Sequence, residues 1–169
     1  QLDEGIEFHE WRYKKSCEYL AYFQAYSNTY GPLEKMQRLY SEALSHPKVI
    51  GLVIGTRPDC IDNKKLDYLQ QLSKDYYITV EYGIESCYDK TLKTINRGHD
   101  FQTTVEAIKA TAERGLHVGG HLIFGLPGES REEMLAQAHT LSDLPLHSLK
   151  FHQLQILKGS LMEKDYALH

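Results

Sequence analysis

The sequence predicts an α/β fold in the form of a partial (βα) barrel, with parallel strands inside and helices outside. Apolar and aromatic segments alternate with segments of helical period, and the predicted strands begin roughly 30 residues apart, the size of one βα unit. Each helical segment is long enough to cross over between parallel strands. The chain has 169 residues. A complete eight-stranded barrel needs about 250, so we expect a single, incomplete barrel domain over residues 1–169.

Five strands are predicted from apolar runs that are bounded by turn residues. Alternation along the third strand places Glu81, Gly83 and Glu85 on one face, opposite an apolar face that contains Val80 and Tyr82. A polar inner face and an apolar outer face are typical of a barrel, so we expect a ligand on the inside. The predicted strands are residues 19–26, 49–55, 76–83, 116–124 and 148–157.

Helices are predicted before the first strand and between the strands, at positions that capping signals help to define. Asp62 and Asp100 are expected to cap the helices that they precede, and Glu129 to cap the helix that it begins. Gly115 ends the helix that Asp100 begins. The predicted helices are residues 3–16, 32–44, 62–74, 88–95, 100–114 and 129–141.

Composition excludes several classes of protein. Lys and Arg number 19 against 23 Asp and Glu, a net charge of −4, which argues against a broad basic surface for nucleic acid. No apolar run approaches the roughly 20 residues of a membrane span, so we expect a cytoplasmic protein without membrane contact. Cys17, Cys60 and Cys87 are too far apart to suggest a disulfide framework or a zinc site, and free thiols are expected.

Polar residues follow the predicted strands, at the edge where parallel α/β proteins carry their active sites. The Glu85 carboxylate suits two ribose hydroxyl groups. Considered alone, Arg97 is best explained as a surface residue, although its guanidinium also suits a ligand carboxylate. Glu81 and His121 point inward from adjacent strands. They form either part of a ligand site or a buried structural contact in which His121 or Lys150 satisfies the Glu81 carboxylate.

Five segments of the sequence together resemble the S-adenosylmethionine-binding core of the radical-SAM superfamily. The resemblance is to the branch around the Elongator catalytic subunit and the coproporphyrinogen dehydrogenases, and in particular to YhcC-type proteins. The segments cover nearly the whole chain in family order. They are YFQAYSNTYGP at 22–32, IGTRPDCI at 54–61, VEYGIES at 80–86, NRGHD at 96–100 and HLIFGLPGES at 121–130.

The resemblance implies a TIM-type partial barrel in which the five strands correspond to the family's second to sixth. The family's CxxxCxxC loop, which holds a 4Fe–4S cluster after the first strand, is absent here, so the cluster ligands are expected outside this chain. The full-length enzyme would reductively cleave S-adenosylmethionine to a 5′-deoxyadenosyl radical, with flavodoxin or ferredoxin as reducing partner. The chain by itself is expected to be inactive. The substrate is unknown, and tRNA is suggested by family analogy alone.

The resemblance also implies a set of cofactor-binding residues. It implies no catalytic and no metal-binding residues in this chain. Arg97 matches the arginine that pairs with the methionyl carboxylate, Glu85 matches a residue that reaches the ribose or methionyl end, and His121 matches a ribose contact. The loop after the first predicted strand matches a motif that contacts the methionyl amine, while the fourth and fifth strands border the adenine. The full set is Asn28, Thr29, Glu85, Ser86, Arg97, His121, Ile123, Gly125 and Gln153.

Two further functions are compatible with the residues. The first is a partial-barrel hydrolase or aldolase that uses Glu85 and His121 as acid and base, without iron or a reductant. The second is a module that binds an adenosine ligand without catalysis. The loop from Gly125 to Gly128 allows close approach of a planar ligand, but no Lys-Ser or Lys-Thr follows it, so it is not a Walker phosphate loop.

Overall fold

A computed structural model of the chain describes residues 2–13 and 17–166. Its five strands form one parallel sheet in the order β1-β2-β3-β4-β5, each pairing with the next in sequence. The sheet curls into half of a barrel with helices on its outer face, which confirms the predicted fold. The strands are β1 (Tyr19–Phe23), β2 (Val49–Thr56), β3 (Tyr77–Glu85), β4 (His117–Phe124) and β5 (Ser148–Gln153).

Seven α-helices and one short 3-10 helix, Pro58–Cys60, accompany the strands in the described part of the chain. None of the described helices is both long and apolar enough to cross a membrane. Residues 14–16 of the first predicted helix lie outside the described residues. The α-helices are α1 (Leu2–Arg12), α2 (Leu33–Leu44), α3 (Asn63–Leu72), α4 (Asp89–Thr94), α5 (Phe101–Ala112), α6 (Arg131–Ser142) and α7 (Leu161–Tyr166).

The hydrophobic core lies between the outer face of the sheet and the helices. Ile54, Val80 and Val118, one from each central strand, are fully buried there. Tyr82 on the same face shares a hydrogen bond of 2.7 Å with the Thr111 hydroxyl on α5, and burial raises the pKa of this tyrosine. The alternation predicted along β3 is therefore confirmed, and it turns the polar residues of the strand toward the inside.

Two strands are shorter than the sequence predicts. β1 ends at Phe23 because the Asn28 side-chain amide donates to the carbonyls of Phe23 (2.8 Å) and Gly55 (2.9 Å), which replaces ladder hydrogen bonds. β5 ends at Gln153 because its partner β4 also ends there, and the Leu154 N–H makes the last bond to it, on the Phe124 carbonyl. Both strands therefore end before their apolar sequence pattern ends, β1 because of a side chain and β5 because of its partner strand.

The capping predictions are right for two helices and wrong for the third. Asp62 and Asp100 accept backbone N–H groups of α3 and α5 at 3.0 and 2.9 Å. Glu129 does not cap α6, since Ser130 is the N-cap and forms a reciprocal capping box with Glu133. A serine hydroxyl reaches the third helical N–H directly, and this leaves the Glu129 carboxylate for other partners.

Candidate functional site

A cavity of about 440 Å³ opens on the inner face of the half-barrel, at the carboxyl ends of β1 to β4. Its volume lies within the range of small-molecule sites. Glu85, Arg97 and His121, which the sequence places on three separate segments, line this one cavity. The complete lining is Tyr22, Gln24, Tyr26, Ser27, Gly55, Thr56, Arg57, Glu81, Gly83, Glu85, Arg97 and His121.

Glu85 stands in an unusual backbone conformation at the end of β3. Its φ is +64°, in the left-handed region, and the ladder between β3 and β4 is irregular between Gly83 and Glu85. The Ser86 N–H donates to the Ile84 carbonyl at 2.8 Å and so closes a three-residue turn around Glu85. Such strain is characteristic of functional sites, and here it accompanies a carboxylate that lines the cavity.

Arg97 follows α4 and reaches back to the end of β3. Its Nη2 donates to the Gly83 carbonyl at 2.9 Å and lies 3.1 Å from Glu85 Oε1. Its Nε is buried and has no hydrogen-bond partner in the part of the chain that the structure describes. Burial lowers the pKa of Arg97, although the Glu85 carboxylate opposes the effect. Since a guanidinium has five N–H donors, this one keeps donors for a ligand.

Gly83 makes room for this pair of charges. A Cβ on Gly83 would come within 2.4 Å of Arg97 Nη2 and 2.5 Å of Glu85 Oε1. Any side chain here would therefore displace the ion pair, which explains why a glycine occupies this position on the cavity wall.

Glu81 lies deeper in the half-barrel and is almost completely buried, with 5% of the residue exposed. Its carboxylate accepts hydrogen bonds from the Tyr22 hydroxyl at 2.7 Å, His121 Nε2 at 3.0 Å and Lys150 Nζ at 2.7 Å. The structural contact proposed from the sequence is thus present with both suggested partners. His121 also lines the cavity, so the contact does not exclude a role in ligand binding.

The Glu81 network is expected to make stability depend on pH in the acid range. Burial alone would raise the pKa of Glu81, but the hydrogen bonds from Lys150, Tyr22 and His121 outweigh burial and lower it. The carboxylate therefore contributes stability above its ordinary pKa of 4.5, and this contribution is lost as the pH falls through the lowered value. In urea, the free energy of unfolding of Glu81→Gln should be lower than that of the wild type at pH 7, and the difference should shrink below pH 4.5.

The exposed Glu42 on α2 supplies the control, because Glu42→Gln should unfold like the wild type at both pH values. A deficit for Glu81→Gln that is as large at low pH as at pH 7 would contradict this assignment of the charge.

Nine of the twelve lining residues were not included in the predicted site, among them Tyr22 and Arg57. Tyr22 contacts Glu81 from β1, and Arg57 follows β2, where its guanidinium binds both oxygens of Asp59 at 2.9 and 2.5 Å. Arg57 belongs to the quoted segment 54–61 and stands directly after a strand, a position that signals the rim. Tyr22 begins the quoted segment 22–32, but it lies within a strand, where a tyrosine is ordinary, so its position did not indicate the rim.

Three predicted residues at the rim have their side chains in structural hydrogen bonds outside the cavity lining. The Thr29 hydroxyl forms a hydrogen bond of 2.7 Å with the Thr56 hydroxyl. The Asn28 side-chain amide donates to the backbone carbonyls at the ends of β1 and β2. The fully buried Ser86 hydroxyl donates to Glu129, whose carboxylate also accepts from Gln137. These bonds fix the loops that carry the rim, and a direct cofactor contact by these residues stays a prediction.

The three residues predicted near the adenine also lie outside the cavity lining. Ile123 is half-buried near the end of β4, where it pairs with His152. Gly125 follows with φ +87°, a conformation that favours glycine, and Gln153 is exposed at the end of β5. They adjoin the carboxyl edge of the sheet, so their role as an adenine platform stays a prediction.

Within the ranges 2–13 and 17–166, no group of three His, Cys, Asp or Glu side chains is arranged to hold a metal ion. Cys17, Cys60 and Cys87 are free thiols. Burial, with a contribution from Glu129, raises the pKa of Cys87 to about 12, so its thiol is protonated and unreactive at neutral pH. The residues described here do not fit a 4Fe–4S cluster.

Comparison with known proteins identifies the family. The model of the "Radical SAM superfamily" matches residues 3–141. An uncharacterized protein of Methanocaldococcus jannaschii is 43% identical over 150 residues, which are 88% of this chain and 47% of that protein. Protein YhcC of Escherichia coli is 41% identical over 153 residues, 90% of this chain and 50% of YhcC. The chain thus spans about half the length of the curated relatives it matches.

A solved structure supports the fold independently. The archaeal Elp3 of Methanocaldococcus infernus, with an N-terminal deletion, superposes with a TM-score of 0.78 at 21% identity, over 96% of this chain and 43% of that one. The predicted likeness to YhcC-type proteins is confirmed by the sequence matches, and the partial barrel by this superposition. The chain belongs to the radical SAM superfamily.

Proposed function

We propose that the cavity lined by Glu85, Arg97 and His121 binds S-adenosylmethionine, and that the protein to which this chain belongs is a radical-SAM enzyme. The observation that carries the proposal is that these three residues, predicted from separate segments, line a single cavity. When bound, S-adenosylmethionine supplies the radical chemistry of the superfamily. The chain's own part is to bind and orient it.

The donors and acceptors of the cavity match the cofactor's polar groups. Arg97 is the donor for the methionyl carboxylate, because its buried Nε has no hydrogen-bond partner among residues 2–13 and 17–166. The Glu85 carboxylate is an acceptor for ribose hydroxyls or the methionyl amine, and His121 adds a second acceptor or donor on the same cavity.

The activity of the whole protein needs a second proposal, because the residues that the structure describes contain no site for an iron–sulfur cluster. We propose that cysteines elsewhere in a longer protein hold the 4Fe–4S cluster, and that residues 1–169 form a barrel core without the family's first strand. A flavodoxin or ferredoxin as reducing partner, and tRNA as substrate, rest on the family resemblance. The chain alone is then inactive.

The cofactor site is tested by NMR titration of the 169-residue chain with S-adenosylhomocysteine, which shares the carboxylate, amine, ribose and adenine. We expect saturable shifts of the amide signals of Gly83, Glu85, Arg97 and His121, with millimolar or tighter affinity. Adenosine alone, which lacks the carboxylate, should bind more weakly. Shifts confined to other parts of the chain, or none up to the solubility limit, would overturn the assignment.

The enzyme class is tested on the longest natural form of the protein, purified without oxygen. We expect bound iron and sulfide, and formation of 5′-deoxyadenosine from S-adenosylmethionine only when dithionite is present. Cofactor binding without cleavage would favour a binding module instead. Turnover without iron or reductant would favour the hydrolase or aldolase. In the structure, however, Glu85 and His121 are not paired as acid and base, because Glu85 pairs with Arg97 and His121 pairs with Glu81.

A further inference from the structure

The inner face of the half-barrel holds a buried carboxylate that the proposed function does not require. Glu81 stands opposite Gly55 on β2 and Gly119 on β4. A Cβ on Gly119 would come within 3.0 Å of Glu81 Cγ. The neighbouring strands thus leave space for this one charged side chain inside the sheet.

Three strands send a hydrogen-bond donor to Glu81. Tyr22 comes from β1, His121 from β4 and Lys150 from β5. Because strands are spaced by about 4.8 Å, β1 and β5 would lie about 19 Å apart in a flat sheet. Lys150 Nζ nevertheless reaches the Tyr22 hydroxyl at 3.3 Å, so the curvature of the half-barrel brings both outer strands to the same carboxylate.

This network determines how His121 is protonated when its ring is neutral. An ionised carboxylate only accepts hydrogen bonds, so the ring nitrogen that faces Glu81, Nε2 at 3.0 Å, must carry the proton. The Lys150 ammonium at 2.7 Å already balances the carboxylate charge. Nδ1 is then left with a lone pair, and it has no hydrogen-bond partner among the residues that the structure describes.

We propose that Glu81 is a positioning residue: when the His121 ring is neutral, Glu81 holds its proton on Nε2, so that Nδ1 is presented as an acceptor for a hydroxyl group of the ligand in the cavity. The identification of that hydroxyl with the ribose rests on the proposed function, whereas the tautomer does not. Glu81 therefore acts on the ligand through His121, while Tyr22 and Lys150 hold Glu81 in place.

The tautomer is tested directly by the ¹⁵N shifts of the His121 ring in the wild-type chain at pH 8. We expect one tautomer, protonated on Nε2. In Glu81→Leu, which has no acceptor, we expect a mixture of both tautomers. In Glu81→Gln the amide oxygen is expected to take the place of Oε2, on which all three donors converge, and to restore the Nε2–H form. A wild-type ring protonated on Nδ1 would overturn the proposal without any variant.

Titration with S-adenosylhomocysteine separates positioning from a purely structural role. We expect Glu81→Leu to bind about tenfold more weakly per folded molecule, which corresponds to one hydroxyl hydrogen bond, and Glu81→Gln to bind like the wild type although it is less stable. Equal affinity of the folded Leu variant and the wild type would refute the positioning role. A wild type with the Nε2–H tautomer that does not bind the probe would count against the proposed function instead.

Discussion

Replacing Arg97 by alanine should weaken binding of S-adenosylhomocysteine on the order of 100-fold, because the variant loses the charged donor for the ligand carboxylate. It also leaves the Glu85 carboxylate, whose side chain is 15% exposed, without its cation. An unpaired carboxylate next to the ligand carboxylate adds repulsion to the lost hydrogen bonds. Arg97→Lys should recover only part of the affinity, since an ammonium keeps the charge but lacks the planar fork.

Arg38 provides a matched control on the outer surface. It is exposed on α2, so Arg38→Ala removes the same side chain at a distance from the cavity and should bind like the wild type. The affinities should be measured by calorimetry or NMR titration on variants that are shown to be folded. Arg97→Ala with unchanged affinity would remove Arg97 from the site.

Replacing Gly51 by alanine should have the largest effect on stability. A Cβ at this position would lie 2.1 Å from the Tyr77 carbonyl oxygen. No change of rotamer relieves a clash with backbone, so β2 and β3 must separate locally where Gly51 pairs with Tyr77. We expect a loss of about 3 kcal/mol or more in the free energy of unfolding, measured with urea.

Gly5 is the control for this substitution. It lies in α1, and a Cβ there meets nothing within 4 Å. Gly5→Ala should therefore stabilise the chain slightly, by roughly 0.5–1 kcal/mol, because alanine favours the helix. If Gly51→Ala unfolds at the same urea concentration as the wild type, the pairing of β2 with β3 described here is wrong.

The sequence predicted those parts of the fold and site that depend on local pattern. Apolar runs and their spacing predicted the five strands, and the period of two along β3 turned Glu81 and Glu85 inward. The position of Glu85 after the third predicted strand placed it at the carboxyl edge of the sheet. These inferences need only the rules of parallel strands, which do not depend on the curvature of the sheet.

Other features depend on contacts between distant parts of the chain, which a local pattern does not contain. Tyr22 and Lys150 meet across the half-barrel although 128 residues separate them. Glu85 adopts φ +64°, which residue preferences disfavour and only the surrounding structure can impose. Glu129 has a favourable position at a helix start, but the serine that follows it provides the cap, and Glu129 binds Ser86 instead.

A crystal structure of the chain with S-adenosylhomocysteine tests most directly whether Glu85, Arg97 and His121 form one cofactor site. We expect the ligand in the cavity of about 440 Å³, with its carboxylate on Arg97 and a ribose hydroxyl on Glu85 or His121. A second groove, of about 770 Å³ between β1 and α2, offers an alternative location and includes His46. Ligand density in that groove, with the first cavity empty, would show that Glu85, Arg97 and His121 do not form the cofactor site.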